Sequence, residues 1–517
     1  MKDDKQNDLK IINLTSVSCT IELQNNNPFY SLYTFDVYVN SILVHQNKNT
    51  NVFTVFNLYP NTFYNVTIIN NINKKEMSCS FTTLKASKII TINLDMCNKD
   101  DCAKDIQKVI DNAKKGTLII IKKGIYNTTP IFLKSNITIE LKKDAILLGN
   151  IDRNNYPVLR NETGKQVLGS WEGEAKDNFA SLITGINVEN VNIVGEGTID
   201  GNAQNSDWWN NHRLIRIACR PHDIFLNNCK NINIIGLTIK NSPSWTIHPF
   251  YSKQLMFCNL NIMAPSDSPN TDGCNPESCS DVLIIGNVFT VGDDCIALKS
   301  GKIEMVKEHY QPCNKIIITN CLMEKGHGAV VFGSEMSSGI TDVKVSKCVF
   351  KGTDRGLRIK TRRGRGNKAI INNVDFDNIL MDEVKNPLVI NMFYFCDPDG
   401  KTDYVQSKEK KDIDDRTPHL GKFYFKNMIC HNTKISAGFF YGLPEAPIEE
   451  IKLENIKVDY QKNENFETPA MMLGVEKVNC LGFYFNNVDR IVIKNVQLNG
   501  QSSEEFILHN NKIFIKE

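Results

Sequence analysis

The chain lacks any apolar run long enough to span a bilayer, so no membrane is expected among its partners. Its opening residues, Met1-Lys2-Asp3-Asp4-Lys5-Gln6-Asn7-Asp8, have none of the apolar core that a secretory signal needs. Taken as it stands, the sequence reads as soluble and cytoplasmic, or as secreted had a signal been removed. A charge excess is missing too: 60 basic residues face 58 acidic ones, a formal balance of +2, so no global field draws the chain to nucleic acid. Metal-ligand spacing is likewise absent. Cys97/Cys102 and Cys274/Cys279 have no partner pair at zinc-finger distance, and neither a metal nor another cofactor is expected. The 16 cysteines are scattered through a chain that can build its own core, and they read mostly as reduced, buried small hydrophobes.

What the sequence does have is short strands. Residues 10–86 carry brief alternating segments such as Cys19-Thr20-Ile21-Glu22-Leu23 and Tyr33-Thr34-Phe35-Asp36-Val37-Tyr38-Val39, punctuated by Asn and Pro, which suggest a small β-sandwich. The run from Phe56-Asn57-Leu58-Tyr59-Pro60 to Tyr64-Asn65-Val66, closed by Ser80-Phe81-Thr82-Thr83, resembles the strand corner and last strand of fibronectin type III domains. A domain is therefore expected over 1–87, serving as spacer or docking module. Ile106, Val109, Ile110 and Ala113 then fall at helical spacing within 101–115, an amphipathic helix covering one end of the larger domain after it.

From about residue 136 the chain repeats itself loosely. Val191-Asn192-Ile193-Val194-Gly195, Ile232-Asn233-Ile234-Ile235-Gly236, Val282-Leu283-Ile284-Ile285-Gly286, Lys315-Ile316-Ile317-Ile318 and Ile491-Val492-Ile493-Lys494 are each too apolar for a strand with one exposed face. Stacked coils account for this, with like side chains in ladders and turn asparagines in hydrogen-bonded rows. The fold class expected is all-β, a right-handed parallel β-helix over 88–517 preceded by the sandwich.

Four motifs fall on successive coils: Asn270-Thr271-Asp272, Gly292-Asp293-Asp294, Gly326-His327-Gly328 and Arg358-Ile359-Lys360. In a solenoid, elements one coil apart are neighbours in space, so the four converge on one face. Hydrolysis of a glycosidic bond needs one protonated carboxylic acid near the leaving oxygen and one ionised carboxylate, and crowding three carboxylates raises the pKa of at least one. Singly, each motif also has an ordinary reading: Thr-Asp-Gly is good turn chemistry, and a histidine between glycines can sit in a tight corner.

Together and in this order, with the flanks Asp294-Cys295-Ile296-Ala297-Leu298-Lys299-Ser300-Gly301 and Arg355-Gly356-Leu357-Arg358-Ile359-Lys360-Thr361, the motifs resemble the polygalacturonase family of glycoside hydrolases over roughly 90–500. The resemblance implies an inverting hydrolase of α-1,4-galacturonosidic bonds in polygalacturonate or oligogalacturonides. It implies Asp293 as general acid, Asp272 and Asp294 as the pair activating water, and His327 as the residue tuning the acid. Arg358 and Lys360 would bind the galacturonate carboxylate, with Asn270 and Lys299 as further substrate-binding candidates.

The basic run at 351–368, with Arg355, Arg362, Arg363 and Arg365, fits a substrate that carries a carboxylate on every sugar; it lacks the interleaved aromatics of a nucleic-acid surface. The flanks Gly333-Ser334-Glu335-Met336 and Asn391-Met392-Phe393-Tyr394-Phe395, with the fibronectin-like domain, look like the bacterial exo-acting branch. Loops at 152–178, containing Trp171, and 201–221, containing Trp208, Trp209, His212, Arg213 and Arg220, are candidates for blocking one end of a cleft. Sugar stacking and packing compete for the Trp pair. The rival functions are a β-helical uronate lyase using Ca²⁺ on the aspartates, a non-catalytic acidic-glycan-binding β-helix, and, within hydrolases, action on rhamnogalacturonan or xylogalacturonan.

Overall fold

The computed structural model describes residues 9–161, 166–461 and 465–517; the polar start and residues 162–165 of the 152–178 loop lie outside the described residues. Residues 9–82 build two antiparallel sheets. Leu9–Leu14, Cys19–Leu23 and Val52–Val55 form one; Ile42–Thr50, Tyr30–Val39, Phe63–Asn70 and Glu76–Thr82 form the other. Strand alternation brings Ile21, Phe35, Val37, Phe53, Val66 and Ile68 together as a fully buried core, as a sandwich requires. The Tyr64 hydroxyl accepts from the Tyr59 backbone N–H at 2.9 Å, the tie made by a tyrosine corner.

The expected helix spans Ala103–Asn112. Ala103, Ile106 and Ile110 join the core of the first coils, and the Asp101 carboxylate accepts from the Ala103 N–H at 2.9 Å near the helix start. From Lys88–Ile92 onward the long sheet and its two companions pair only in parallel, giving the right-handed parallel β-helix. Register is strict. Ile119, Ile139, Ile193, Ile234, Phe257, Ile284, Ile318, Val345, Phe376, Phe425, Leu453 and Ile493 stand one above the other in a single buried row. Asparagine rows run beside it: Asn231 donates to Asn190 at 2.8 Å and Asn190 to Asn136 at 3.0 Å, all three with positive φ at turns.

The coils are unequal. Val191, Ile232, Leu255, Val282, Ile316 and Val343 share one row, yet their numbers differ by 23 to 41. Inserted loops account for the difference, and they all leave the row intact.

The outward faces explain why the strands read as apolar on both sides. Val194, Ile235, Cys258 and Ile285 point away from the solenoid interior and are buried under Val17 and Val52 of the sandwich. Polar ties flank this contact: Asn320 donates to Glu22 at 2.9 Å and accepts from Asn51 at 3.0 Å, with all three residues buried. Among the described residues no helix is long and apolar enough to cross a membrane.

Replacing Asn320 by Ala strands the buried Glu22 and Asn51 groups, and a buried polar group left unpaired costs about 1–3 kcal/mol. A matching fall in the urea midpoint with an unaltered m-value is expected; no measurable fall would mean that these ties do not hold the sandwich to the helix.

Candidate active site

Backbone pairing places the motif residues. Cys274 bridges Ile247 on one side and Ile296 on the other, and Ile296 pairs with Val330, which pairs with Leu357. Asp272 and Asp294 lie two residues before Cys274 and Ile296, and Gly273 N–H donates to the Asp294 carbonyl at 3.0 Å. The two aspartates therefore occupy equivalent places on neighbouring coils, about 4.8 Å apart along the stack. Gly328 takes the same place on the next coil. A Cβ there would lie 3.2 Å from Asp294 Oδ1, so the glycine leaves room for the carboxylate.

Asp293 occupies the turn before Asp294. Its carbonyl accepts from the His327 N–H at 3.0 Å, and its Oδ1 lies 3.2 Å from His327 Nδ1. Asp272, Asp293, Asp294, His327, Arg358, Lys360, Asn270 and Lys299 all line one cavity of about 260 Å³.

Charge is distributed unequally within it. Asp272 is 4 % exposed; burial, and next the charge of Asp293, push its carboxyl up to about 8. Burial acts the same way on Asp294, but Lys360 at 2.8 Å and Arg358 at 3.7 Å outweigh it and hold that carboxyl below the usual range. Asp294 Oδ1 is buried and makes no hydrogen bond among the described residues; Arg358 Nη1 faces it at 3.7 Å. The hydrogen bond to Asp293 raises the pKa of the His327 imidazole.

Lys299 and Asn270 reach the cavity already engaged. Lys299 Nζ is 3.0 Å from Glu335 Oε2 and 4.7 Å from the Trp245 ring centroid; Asn270 Oδ1 accepts from Arg220 at 2.6 Å. Burial disfavours the Lys299 charge, but Glu335 and Asp272 outweigh it and raise its pKa.

One expectation needs correction, and one open choice is decided. The basic run is not a substrate-attracting face. Arg362 pairs with Asp397 at 2.9 Å and Asp399 at 2.7 Å, Arg363 with Glu445 at 2.5 Å, and Arg365 with Asp397 at 2.5 Å, all three arginines being buried. Only Arg358 and Lys360 of the run line this cavity; they share one face of the strand Arg355–Lys360, from which Arg355 alternates away. Trp208 is a packing residue: it is 1 % exposed, edge-on to Tyr156 and Phe179, with Arg153 over its ring. Trp209 is half-buried and donates from Nε1 to the Ser242 carbonyl at 3.1 Å.

Glu335, Trp245 and Glu172 also line the cavity and were not among the expected site residues, although Glu335 stands in the Gly333-Ser334-Glu335-Met336 flank. A buried Lys299 requires an acid, and that requirement was the available signal for Glu335. Trp245 and Glu172 come from loops whose place in the coil the repeat does not give.

A model of the glycosyl hydrolases family 28 matches residues 160–414. The probable polygalacturonase of Vitis vinifera is 31% identical over 346 residues, which is 66% of this chain and 67% of that protein. The exopolygalacturonase of Zea mays is 26% identical over 71% of this chain and 82% of its own. Among solved structures, the family 28 exopolygalacturonase of Yersinia enterocolitica superposes with a TM-score of 0.72 at 19% identity, covering 99% of both chains. The exopolygalacturonase of Thermotoga maritima reaches 0.65 at 24% identity, over 80% of this chain and 93% of that one. A parallel β-helix of this kind with such relatives is a glycoside hydrolase. The chain belongs to glycosyl hydrolases family 28.

Raising the Asp272 pKa above its unfolded value makes folding favour the protonated carboxyl. That contribution is complete below about pH 4 and is lost as pH rises through about 8. Asp272→Asn, which cannot ionise, should gain in Tm relative to the parent as pH rises from about 4 to about 8. A difference that stays constant over that window would show that Asp272 titrates normally.

Proposed function

We propose that the chain hydrolyses α-1,4-galacturonosidic bonds of polygalacturonate or oligogalacturonides, acting from a chain end and inverting the anomeric carbon. The observation that carries this is the arrangement of Asp272, Asp293 and Asp294 around one cavity, with His327 on Asp293 and with Lys360 and Arg358 on Asp294. The polygalacturonase names of the relatives point to the same substrate.

Asp293, as general acid, passes to the glycosidic oxygen the proton delivered to it by the His327 imidazolium it contacts, as the C1–O bond breaks. Water held between Asp272 and Asp294 attacks C1 from the opposite face, and its proton passes to the ionised Asp294. Asp272, keeping its own proton, orients that water by a hydrogen bond. His327 fixes the side chain of Asp293. Arg358 and Lys360 shift from Asp294 toward the sugar carboxylate when substrate enters; a planar guanidinium suits it and an ammonium adds a point charge.

The loops beside the cavity support end-wise action. Arg153, Trp171 and Glu172 from the first loop and His212, Arg213 and Arg220 from 201–221 line the space adjoining this cavity, on the side where a long polymer would otherwise continue. Residues 9–87 act as a brace on the outer face of the solenoid.

Asp293→Asn should lower kcat by about 10²–10⁴-fold while leaving Tm and substrate binding close to the parent's. Parent-like hydrolysis by this variant would remove Asp293 from the acid role. With the parent enzyme, short products should appear from the first minutes and the first-formed anomer should be β by proton NMR. Early mixed oligomers would count against end-wise action, an α-anomer against inversion, and an ultraviolet-absorbing unsaturated product against hydrolysis.

A further inference from the structure

Behind the cavity wall runs a chain of buried titratable groups that the mechanism above does not use. It starts at Glu277, whose backbone bridges that of Lys299 on the next coil. Glu277 Oε2 lies 2.9 Å from His248 Nε2, and His248 Nδ1 lies 3.1 Å from His222 Nε2. His222 Nδ1 in turn lies 3.2 Å from the Trp245 carbonyl and 3.1 Å from Ser244 Oγ. Glu277, His248 and His222 are all buried.

The far end of the chain fixes where its protons sit. A carbonyl can only accept, and Ser244 gives its hydroxyl proton to the Pro221 carbonyl at 2.7 Å, so His222 Nδ1 carries a hydrogen. Burial lowers the pKa of both imidazoles and keeps them neutral. His222 Nε2 is then bare and accepts from His248 Nδ1–H; His248 Nε2 is bare in turn and needs a donor. Three hydrogen bonds require three hydrogens, and two neutral imidazoles supply two. The third belongs to the Glu277 carboxyl, which burial, and next the charge of Glu335, push up to about 8. Its Oε1 accepts from the buried Ser170 hydroxyl at 3.3 Å. Without that proton, one pair of acceptors stands face to face somewhere in the chain, whichever tautomers the histidines adopt.

The chain ends on the catalytic wall. Trp245 lines the cavity, stacks on the His222 ring at 5.6 Å and stands edge-on to His248 at 4.9 Å. Lys299 Nζ lies 4.7 Å from its ring centroid, in the wall shared with Asp272. His222 therefore holds Trp245 both by its ring and by its carbonyl.

We infer that Glu277 is a positioning residue for the hydrolysis: as a neutral acid it donates to His248 and so fixes Trp245, and Lys299 against that ring, beside the aspartates. The inference rests on the hydrolase reading above and adds a group that touches no substrate.

Two measurements test it. In the intact enzyme labelled with ¹⁵N-histidine, His222 and His248, assigned by single substitution, should both show the neutral Nδ1–H tautomer at neutral pH; an imidazolium at His248 or an Nε2–H tautomer at either overturns the assignment. On polygalacturonate, Glu277→Met, which fills the space without a donor, should lower kcat about tenfold with KM altered less than about threefold. Glu277→Gln, whose amide returns a donor to the same place, should recover most of that loss. If the Met variant does not fold, the Gln variant decides: a folded Gln variant with kcat down by more than about tenfold overturns the role. A folded Met variant with the parent's kcat, or one altered in KM alone, overturns it as well and leaves the hydrolase reading standing. A parent that does not hydrolyse galacturonan overturns both.

Discussion

The backbone ladder between coils is the constraint on which the site depends. Because each coil hydrogen-bonds to the next in register, a residue's place along its strand decides which residues of other coils it meets. Asp272 and Asp294 are 22 positions apart in sequence but equivalent in the stack, as the Cys274–Ile296 bridge fixes. The same ladder puts Gly328 opposite Asp294, where a side chain would crowd the carboxylate. It then brings Arg358 alongside Val331, close enough for its guanidinium to approach Asp294. No local motif could assemble that set. A slip of one residue would turn the carboxylates into the core or away from one another.

Given that scaffold, the cavity differentiates chemically alike groups by their surroundings. Asp272 and Asp294 are both buried, and burial alone would keep a proton on each. Lys360 and Arg358 reach Asp294, and it is ionised; Asp272 faces Asp293, with the side-chain amide of Asn275 at 2.9 Å, and it keeps its proton. Lys299 and Glu335 neutralise one another at 3.0 Å in the same wall, so neither charge is left uncompensated beside the aspartates.

The sequence made the architecture and the motif residues legible for the same reason: both are periodic or short-range. Ile193, Ile234 and Ile284 repeat at strand spacing, and Asp293-Asp294 lies within a single turn. The coils at Lys253–Cys258, Ile370–Asp382 and Lys422–Thr433 escaped the repeat because inserted loops vary the coil length and because Phe257, Phe376 and Phe425 replace the aliphatic residues that marked the others. Partnership between loops was not legible at all. Arg362, Arg363 and Arg365 look like a solvated basic face until Asp397, Asp399 and Glu445, 32 to 82 positions away, are folded against them. Trp245 and Trp171, stacked at 5.8 Å, are separated by a loop and two coils.

A difficulty in the electrostatics also finds its place. The catalytic cavity is lined by six carboxyl groups, Glu172, Asp272, Asp293, Asp294, Glu335 and Asp397, against three cations, Lys299, Arg358 and Lys360. Such a chamber is poorly suited to draw in a uronate, and the chain's near-zero net charge gives no help from afar. Two internal adjustments soften the imbalance: Asp272 keeps a proton, and Asp397 is shared among Arg362, Arg365 and Lys302, none of which lines that chamber. They do not reverse it. On the function proposed above, Arg358 and Lys360 make up the remainder by turning from Asp294 to the incoming carboxylate.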